Sequence, residues 1–531
     1  MRSGKYILLV AVLLMAVCLR LAAARQRLLV WGDNGAAVLD VGRHLADGQG
    51  YRTLRVWTYY GGPQTLPRPE GNRQPLLPVL AAGVFRVGLP AFRGVQAIVL
   101  LFGVGVVLLA YLFAKRRFGW RGGLAAAALL AISPIHIWFS AQVEDQMLLQ
   151  FFFLLLLVVL DEAPSRRRAL FAGAVCGLAY LSRTNGLLVL IALLGVLRYE
   201  HKRWHEPLLA LGAFVVVTLP WLVRNACVFG NPFFTENTYF LWSGSFEEVF
   251  SLRDSVPTPL TYLREHGAAG AAGRFLKGTY LSMEAFLLGN VFRREPFSQP
   301  SLVPVMFLAW LAYRRPVASS TRLVLAALAL HLVSVSWHQH GTFRYYLPFY
   351  GWFIIGAGAG ALRVARRGGS VSLRRCFVLA LVLVFPLLRP LTLLLQHREK
   401  ELHSETTEIA NWLARHTGSS EAVLDYPQVE KLVFRYRRAT LVAPTGTMDD
   451  VRRAARAYGA RYLVVDPDLL RWRPQFRSFW DARQEIPREI AVPDGLRLVY
   501  RSPRGRYLAY DIRTWAEPDG GQTTGTEPTP R

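Results

Sequence analysis

Long apolar runs separated by short arginine-rich links set the pattern of this chain. The first run, Tyr6 to Ala24, follows Arg2 and Lys5. Its length and basic flank predict a transmembrane helix entering from the cytoplasm. Ala22-Ala23-Ala24 also resembles a signal-peptide cleavage site, and either reading delivers Asp33 to the outer face. Residues 25–93 then form a long outer loop, with helical spacing over Ala36 to Leu45 and a short apolar stretch, Pro75 to Val87, that suits the membrane interface. Ala91 to Phe113 crosses inward to Lys115-Arg116-Arg117, Gly122 to Ile137 crosses back, and Met147 to Leu160 returns to Arg166-Arg167-Arg168.

Residues 169–197 are apolar, yet both flanks are basic: Arg166 to Arg168 before, and Arg198, Lys202 and Arg203 after. Two cytoplasmic ends require an even number of crossings, so the stretch predicts a helical hairpin with Ser182-Arg183-Thr184-Asn185-Gly186 at its outer tip. Leu208 to Leu222 crosses outward to Arg224, and residues 226–297 read as a large outer loop. The segments 298–313, Leu323 to Trp337, Tyr345 to Leu362 and Cys376 to Leu395 complete an all-α polytopic domain over 1–395 with about 11 crossings and an outer C-terminus.

After residue 396 the period changes. Glu405 to His416 and Asp449 to Tyr458 have helical patterns, while Ala422 to Leu424 and Tyr462 to Val465 are short buried-type strands. Their alternation predicts an extracytoplasmic α/β domain over 396–513. Residues 514–531, rich in Gly, Thr, Pro and Glu, read as a disordered tail.

Composition sharpens this picture. The chain has 531 residues, 52% of them hydrophobic and only 18% charged, too few charges to cover a soluble protein of this size. A net charge of +26 raises nucleic acid as a partner. From residue 396 onward, however, 22 Arg/Lys face 19 Asp/Glu, so the surplus sits in the links between apolar runs, where membrane topology explains it without nucleic acid. Cys18, Cys176, Cys227 and Cys376 have neither metal-ligand spacing nor a disulfide framework. The Arg-, Ala- and Leu-rich usage resembles that of bacterial proteins.

Ionisable groups beside or within a bilayer are costly, and so mark candidate sites. Asp33, Glu144, Asp145, Arg183, Arg224, His338, His340 and Arg344 all fall at outer ends of the predicted helices. Each also has a structural reading. Asp33 suits an N-cap, Glu144 and Asp145 suit the start of a helix, and the arginines suit lipid headgroups. His338 and His340 have a spacing that can ligate metal, but no third ligand accompanies them.

Several short motifs together resemble the C-type superfamily of membrane glycosyltransferases, close to its protein mannosyltransferase and aminoarabinose transferase group. They are Asp33 after the first helix, Gly48-Gln49-Gly50-Tyr51, Arg73-Gln74-Pro75-Leu76-Leu77-Pro78, Ser140 to Asp145, Leu181-Ser182-Arg183, Pro220 to Asn225, and Arg344-Tyr345-Tyr346-Leu347-Pro348. The resemblance covers roughly residues 1–395. It implies an inverting transfer of a sugar from a polyprenyl-phosphate donor to a protein, lipid or glycan acceptor at the outer face of the plasma membrane. It implies Asp33 as the catalytic base, Glu144 and Asp145 as the second acidic loop, and Arg73, Arg183, Arg224, Arg344 and Tyr345 around the donor phosphate. Guanidinium suits that last task because its fork matches phosphate oxygens.

Two departures stand out. Asn34 follows Asp33 where relatives often carry a second acid, and Gly35-Ala36-Ala37 replaces an aromatic. These departures weaken the case for a metal at that loop; no metal ligand is assigned, and a divalent ion stays an option. A transporter or flippase would show paired intramembrane charges and an internal repeat, neither of which the sequence displays. A noncatalytic envelope scaffold is the remaining alternative.

Overall fold

The computed structural model describes residues 2–27, 32–288, 303–313, 318–338, 343–366, 372–396, 400–425, 437–479 and 494–516. His340 and nearly all of the expected tail lie outside them. The chain divides into two compact units. One comprises Met1–Arg52, Pro69–Phe246 and Pro257–Lys400; the other comprises Thr53–Arg68, Glu247–Val256 and Glu401–Arg531.

The first unit is helical. Its first nine helices are α1 (Arg2–Gln26), α2 (Gly32–Ala46), α3 (Leu76–Arg86), α4 (Ala91–Ile132), α5 (Pro134–Ser140), α6 (Gln146–Leu160), α7 (Arg166–Ser182), α8 (Gly186–His201) and α9 (His205–Phe229). Long helices at Pro259–Leu288, Ser319–Ser336 and Leu347–Ala365 follow. Among the described residues, five helices are long and apolar enough to span a bilayer, with a sixth if Leu373–Leu383 and Phe385–Leu395, bent by 44°, form one span. The protein is thus a multi-pass membrane protein.

Fewer than the expected 11 crossings pass as single long apolar helices among the described residues, because several expected crossings are short or broken. α4 joins two of them in 42 residues. A straight helix of that length would reach about 63 Å, twice the hydrocarbon thickness. It reverses at Gly119, whose φ of 77° suits glycine. A Cβ at Gly123 would meet the Tyr111 ring at 2.9 Å, so the two arms run side by side. The return arm then breaks at Ser133-Pro134, which splits the expected crossing Gly122 to Ile137 between α4 and α5. The expected outer loop 226–297 also differs. It contains two helical stretches within Pro259–Leu288, broken at Gly267 with φ 66°, whose glycines and charges blurred the apolar period.

Arg20 on α1 stabilises the α4–α5 break. Proline lacks the N–H that would have bonded the Leu130 carbonyl. Instead the fully buried Arg20 guanidinium donates to the carbonyls of Ala131 (3.2 Å) and Leu130 (3.5 Å) and to Ser140 Oγ (3.2 Å). A cation at a helix C-terminus also complements its dipole. Arg20→Met therefore leaves carbonyls unsatisfied inside the membrane. We expect it to destabilise the unit by about 1–3 kcal/mol, seen as a lower melting temperature in detergent.

The predicted hairpin is present. α7 ends at Ser182, α8 starts at Gly186, and Arg183 lies between them. The turn is tight enough that a Cβ on Gly186 would fall 2.3 Å from the Tyr180 backbone nitrogen.

The second unit is a six-stranded mixed sheet with helices. In spatial order its strands are Arg55–Val56, Ala439–Val442, Ala422–Asp425, Ala460–Val465, Leu508–Asp511 and Arg497–Arg501. The first four are parallel and the last two antiparallel to their neighbours. Val56, Leu424, Leu441, Leu463, Val465 and Tyr510 belong to its core. The helix Met448–Ala457 starts at a capping box in which Thr447 and Asp450 each bond the other's backbone N–H. The edge pairing of Arg55 with Thr440 and of Val56 with Leu441 recruits part of the first loop. A backbone ladder cannot form across a bilayer, so this loop and the C-terminal segment share one side of the membrane.

Candidate active site

The loop 141–145 between α5 and α6 is wholly buried and carries Glu144 and Asp145. Asp145 occupies the N-cap position of α6, yet its side chain makes no capping bond. It pairs instead with Arg183 at the tip of the α7–α8 hairpin. A simple helix-start role therefore does not describe this acid. Gln146, in the amide orientation that satisfies both of its ends, donates to Glu144 at 2.8 Å and accepts from Arg183 at 3.3 Å.

Glu144 joins this loop to the start of α2. Its Oε2 accepts from Asn34 Nδ2 at 3.2 Å. The asparagine that departs from the expected acidic pair thus has a physical reason: a carboxylate at 34 would face that of Glu144 and repel it. Asp33 lies in the first turn of α2, one residue away, and its side chain falls outside the described residues. Glu144 Oε1 has no hydrogen-bond partner among the described residues, although the side chain is 1% exposed.

Burial, followed by the charge of Asp145, pushes the Glu144 carboxyl up to about 7, while Arg344, Arg73 and Arg183 pull in the opposite direction. Three of the arginines singled out in the sequence thus act on one carboxyl. The sign follows directly. Below about pH 7 Glu144 is neutral and the arginines are less compensated, so an anionic phosphate binds more tightly there. Above it the added negative charge weakens binding, by roughly tenfold for one charge at this range. Titrating polyprenyl phosphate between pH 6 and 8 should show the parent losing affinity relative to Glu144→Gln, which reports only the ligand's own second ionisation at about pH 6.

The remaining cations approach from the first loop and α9. Arg73 is buried. Its backbone N–H and that of Asn72 donate to Glu70 Oε1, and its carbonyl accepts from the Tyr51 hydroxyl at 3.0 Å. Gln74 reaches Thr184 at the hairpin tip at 3.4 Å. Arg224 donates to the Tyr51 carbonyl at 3.2 Å and to Asn225 at 2.8 Å, with its guanidinium against the rings of Tyr51, Trp221 and Phe229. Burial first, then the charge of Glu70, raises the Tyr51 hydroxyl well above its ordinary value, and Arg224, Arg73 and Asp145 act on it too. Tyr51 therefore bridges the Arg224 and Arg73 neighbourhoods. Tyr345 is half-buried, its ring against His338, with the Arg344 guanidinium 5.4 Å from its centre.

Glu70, Tyr51, Asn34 and Gln146 were not singled out as site residues in the sequence. Glu70 had a readable signal, being the one acid between Asp47 and Glu144. The others become visible only through contacts. No group of three or more potential metal ligands occurs among the described residues.

The chain shares its fold with two sets of solved proteins. Residues 70–223 match the family model described as dolichyl-phosphate-mannose-protein mannosyltransferase. ArnT from Cupriavidus metallidurans superimposes with a TM-score of 0.58 at 14% identity, over 98% of this chain and 100% of that one, and has been solved both in the apo state and bound to undecaprenyl phosphate. The oligosaccharyltransferase AglB from Archaeoglobus fulgidus, solved with an inhibitory peptide and a dolichol-phosphate, superimposes with a TM-score of 0.56 at 13% identity, over 98% of this chain and 75% of that one. A search of curated proteins returns no match.

Proposed function

We propose that this protein transfers a sugar from a polyprenyl-phosphate donor to an acceptor at the outer face of the plasma membrane. The observation that carries this reading is the convergence of Arg73, Arg183 and Arg344 on the buried loop of Glu144 and Asp145, which Asn34 ties to the turn that bears Asp33. Solved proteins of the same fold have been captured with undecaprenyl phosphate and with a dolichol-phosphate, which supports the donor class.

In this reaction an acceptor O–H attacks the anomeric carbon. The bond from that carbon to the phosphate oxygen breaks, its electron pair leaves with the phosphate, and the sugar carbon inverts. Asp33 takes the acceptor's proton. The arginines stabilise the charge that grows on the departing phosphate, and in a dry site such stabilisation is strong. Arg224, held among three aromatic rings, is placed to present a fixed fork. Glu144, with its unpartnered oxygen, is the acceptor-side candidate.

The outer side is supported by the first unit's basic links, which favour an outer first loop, and by the ladder from Arg55–Val56 to Thr440–Leu441, which pairs part of that loop with the C-terminal segment. The test is mass spectrometry of lipid retained by the purified protein, followed by turnover with candidate lipid-linked sugars in vesicles. Retained polyprenyl phosphate with sugar transfer supports the reading, whereas transport of the lipid without transfer overturns it.

A further inference from the structure

Away from these acids, a groove of about 990 Å³ opens between α7 and α9. Its walls are Phe171 and Ala174 on one helix and Leu208 and Val216 on the other, and Gly212 faces the open space between them. Leu208 and Val216 are 60% and 73% exposed, on a face that the bilayer must cover. The groove ends at Ser165 and Arg167, the side that the basic links assign to the cytoplasm.

Three features give that end an anion preference. Arg167 is exposed, whereas its neighbour Arg168 is buried and committed to Glu200 at 2.5 Å. Glu162, the acid at this rim, lies 3.3 Å from Arg116, which offsets its charge. α7 and α9 both begin at this end; Glu206 in the first turn of α9 offsets the positive end of that helix, whereas the first turn of α7 carries no acid, so its dipole adds to Arg167. The groove itself is kept open by how the helices touch. A Cβ on Gly173 would fall 2.0 Å from the Ala210 carbonyl, and one on Gly177 would fall 2.9 Å from Val217, so the backbones meet closely along one line. On the groove side, Gly212 has nothing within 4 Å of its would-be Cβ.

We propose that this groove holds an anionic diacyl phospholipid of the cytoplasmic leaflet, with one acyl chain along Phe171, Leu208 and Val216 and the phosphate at Arg167. Because Gly212 is open, Gly212→Leu fills the groove without touching the α7–α9 contact line. Arg167→Gln removes the cation and leaves the groove intact.

The test places the full-length protein in phosphatidylcholine vesicles containing a photoactivatable phosphatidylglycerol and maps the labelled peptides. Labelling of residues 205–217 should fall about fivefold in Arg167→Gln, the effect of one basic residue near an anionic surface, and more in Gly212→Leu. Equal labelling by photoactivatable phosphatidylcholine would overturn the proposal. So would labelling that is competed by polyprenyl phosphate but not by phosphatidylglycerol, which would make the groove a donor-tail channel. A dimer in detergent that Gly212→Leu dissociates would also overturn it, by making the face a contact between copies.

Discussion

Asp33→Asn should lower sugar transfer by about 10²–10⁴-fold and leave the melting temperature of the detergent-solubilised protein unchanged. The size is that of a lost general base. The substitution preserves shape and polarity, so the first turn of α2 keeps its hydrogen-bonding capacity. The neighbouring link from Asn34 to Glu144 at 3.2 Å is untouched. Asn34→Ala is the control. It cuts that link and lets the turn drift, so it should reduce transfer less and lower the melting temperature. Undiminished transfer by folded Asp33→Asn would remove this acid from the chemistry.

Breaking the ion pair between Asp145 and Arg183 has the largest expected effect on stability. Their side chains are 12% and 16% exposed, so removing either partner leaves a nearly buried charge without its ion-pair partner, with Gln146 and Glu144 still beside Arg183. Such losses typically destabilise by about 3–5 kcal/mol. Asp145→Asn and Arg183→Met should each lower the melting temperature strongly. The double variant should recover much of the loss, because no uncompensated charge remains. It should still transfer sugar poorly, since the cation is gone. Single variants as stable as the parent would mean that water reaches this pair freely, and the buried-site account would fail.

Basic residues at both ends of the apolar run 169–197 predict the hairpin with Arg183 at its tip, because two charged ends on one side permit few solutions. Broken helices were less legible. The turn at Gly119 was marked by Lys115-Arg116-Arg117 and Arg121 around it, but Pro134 breaks a run whose composition remains apolar, and the guanidinium that stabilises that break comes from Arg20, more than a hundred residues away. In the second unit, Ala422–Asp425 and Ala460–Val465 were readable as apolar runs. Arg55–Val56 was not, because a two-residue edge strand exists only through its ladder partner. At the site, position along the helices found Glu144, Asp145, Arg73, Arg183, Arg224 and Arg344. It could not find Asn34 or Gln146, whose parts are set by distances to Glu144.

The most direct test of the arginine cluster is the affinity of the protein for undecaprenyl phosphate in nanodiscs, measured for the parent and for Arg344→Gln and Arg73→Gln. The cluster account predicts that each variant weakens binding at least about tenfold, or 1.4 kcal/mol. Unchanged affinity in both variants would contradict it.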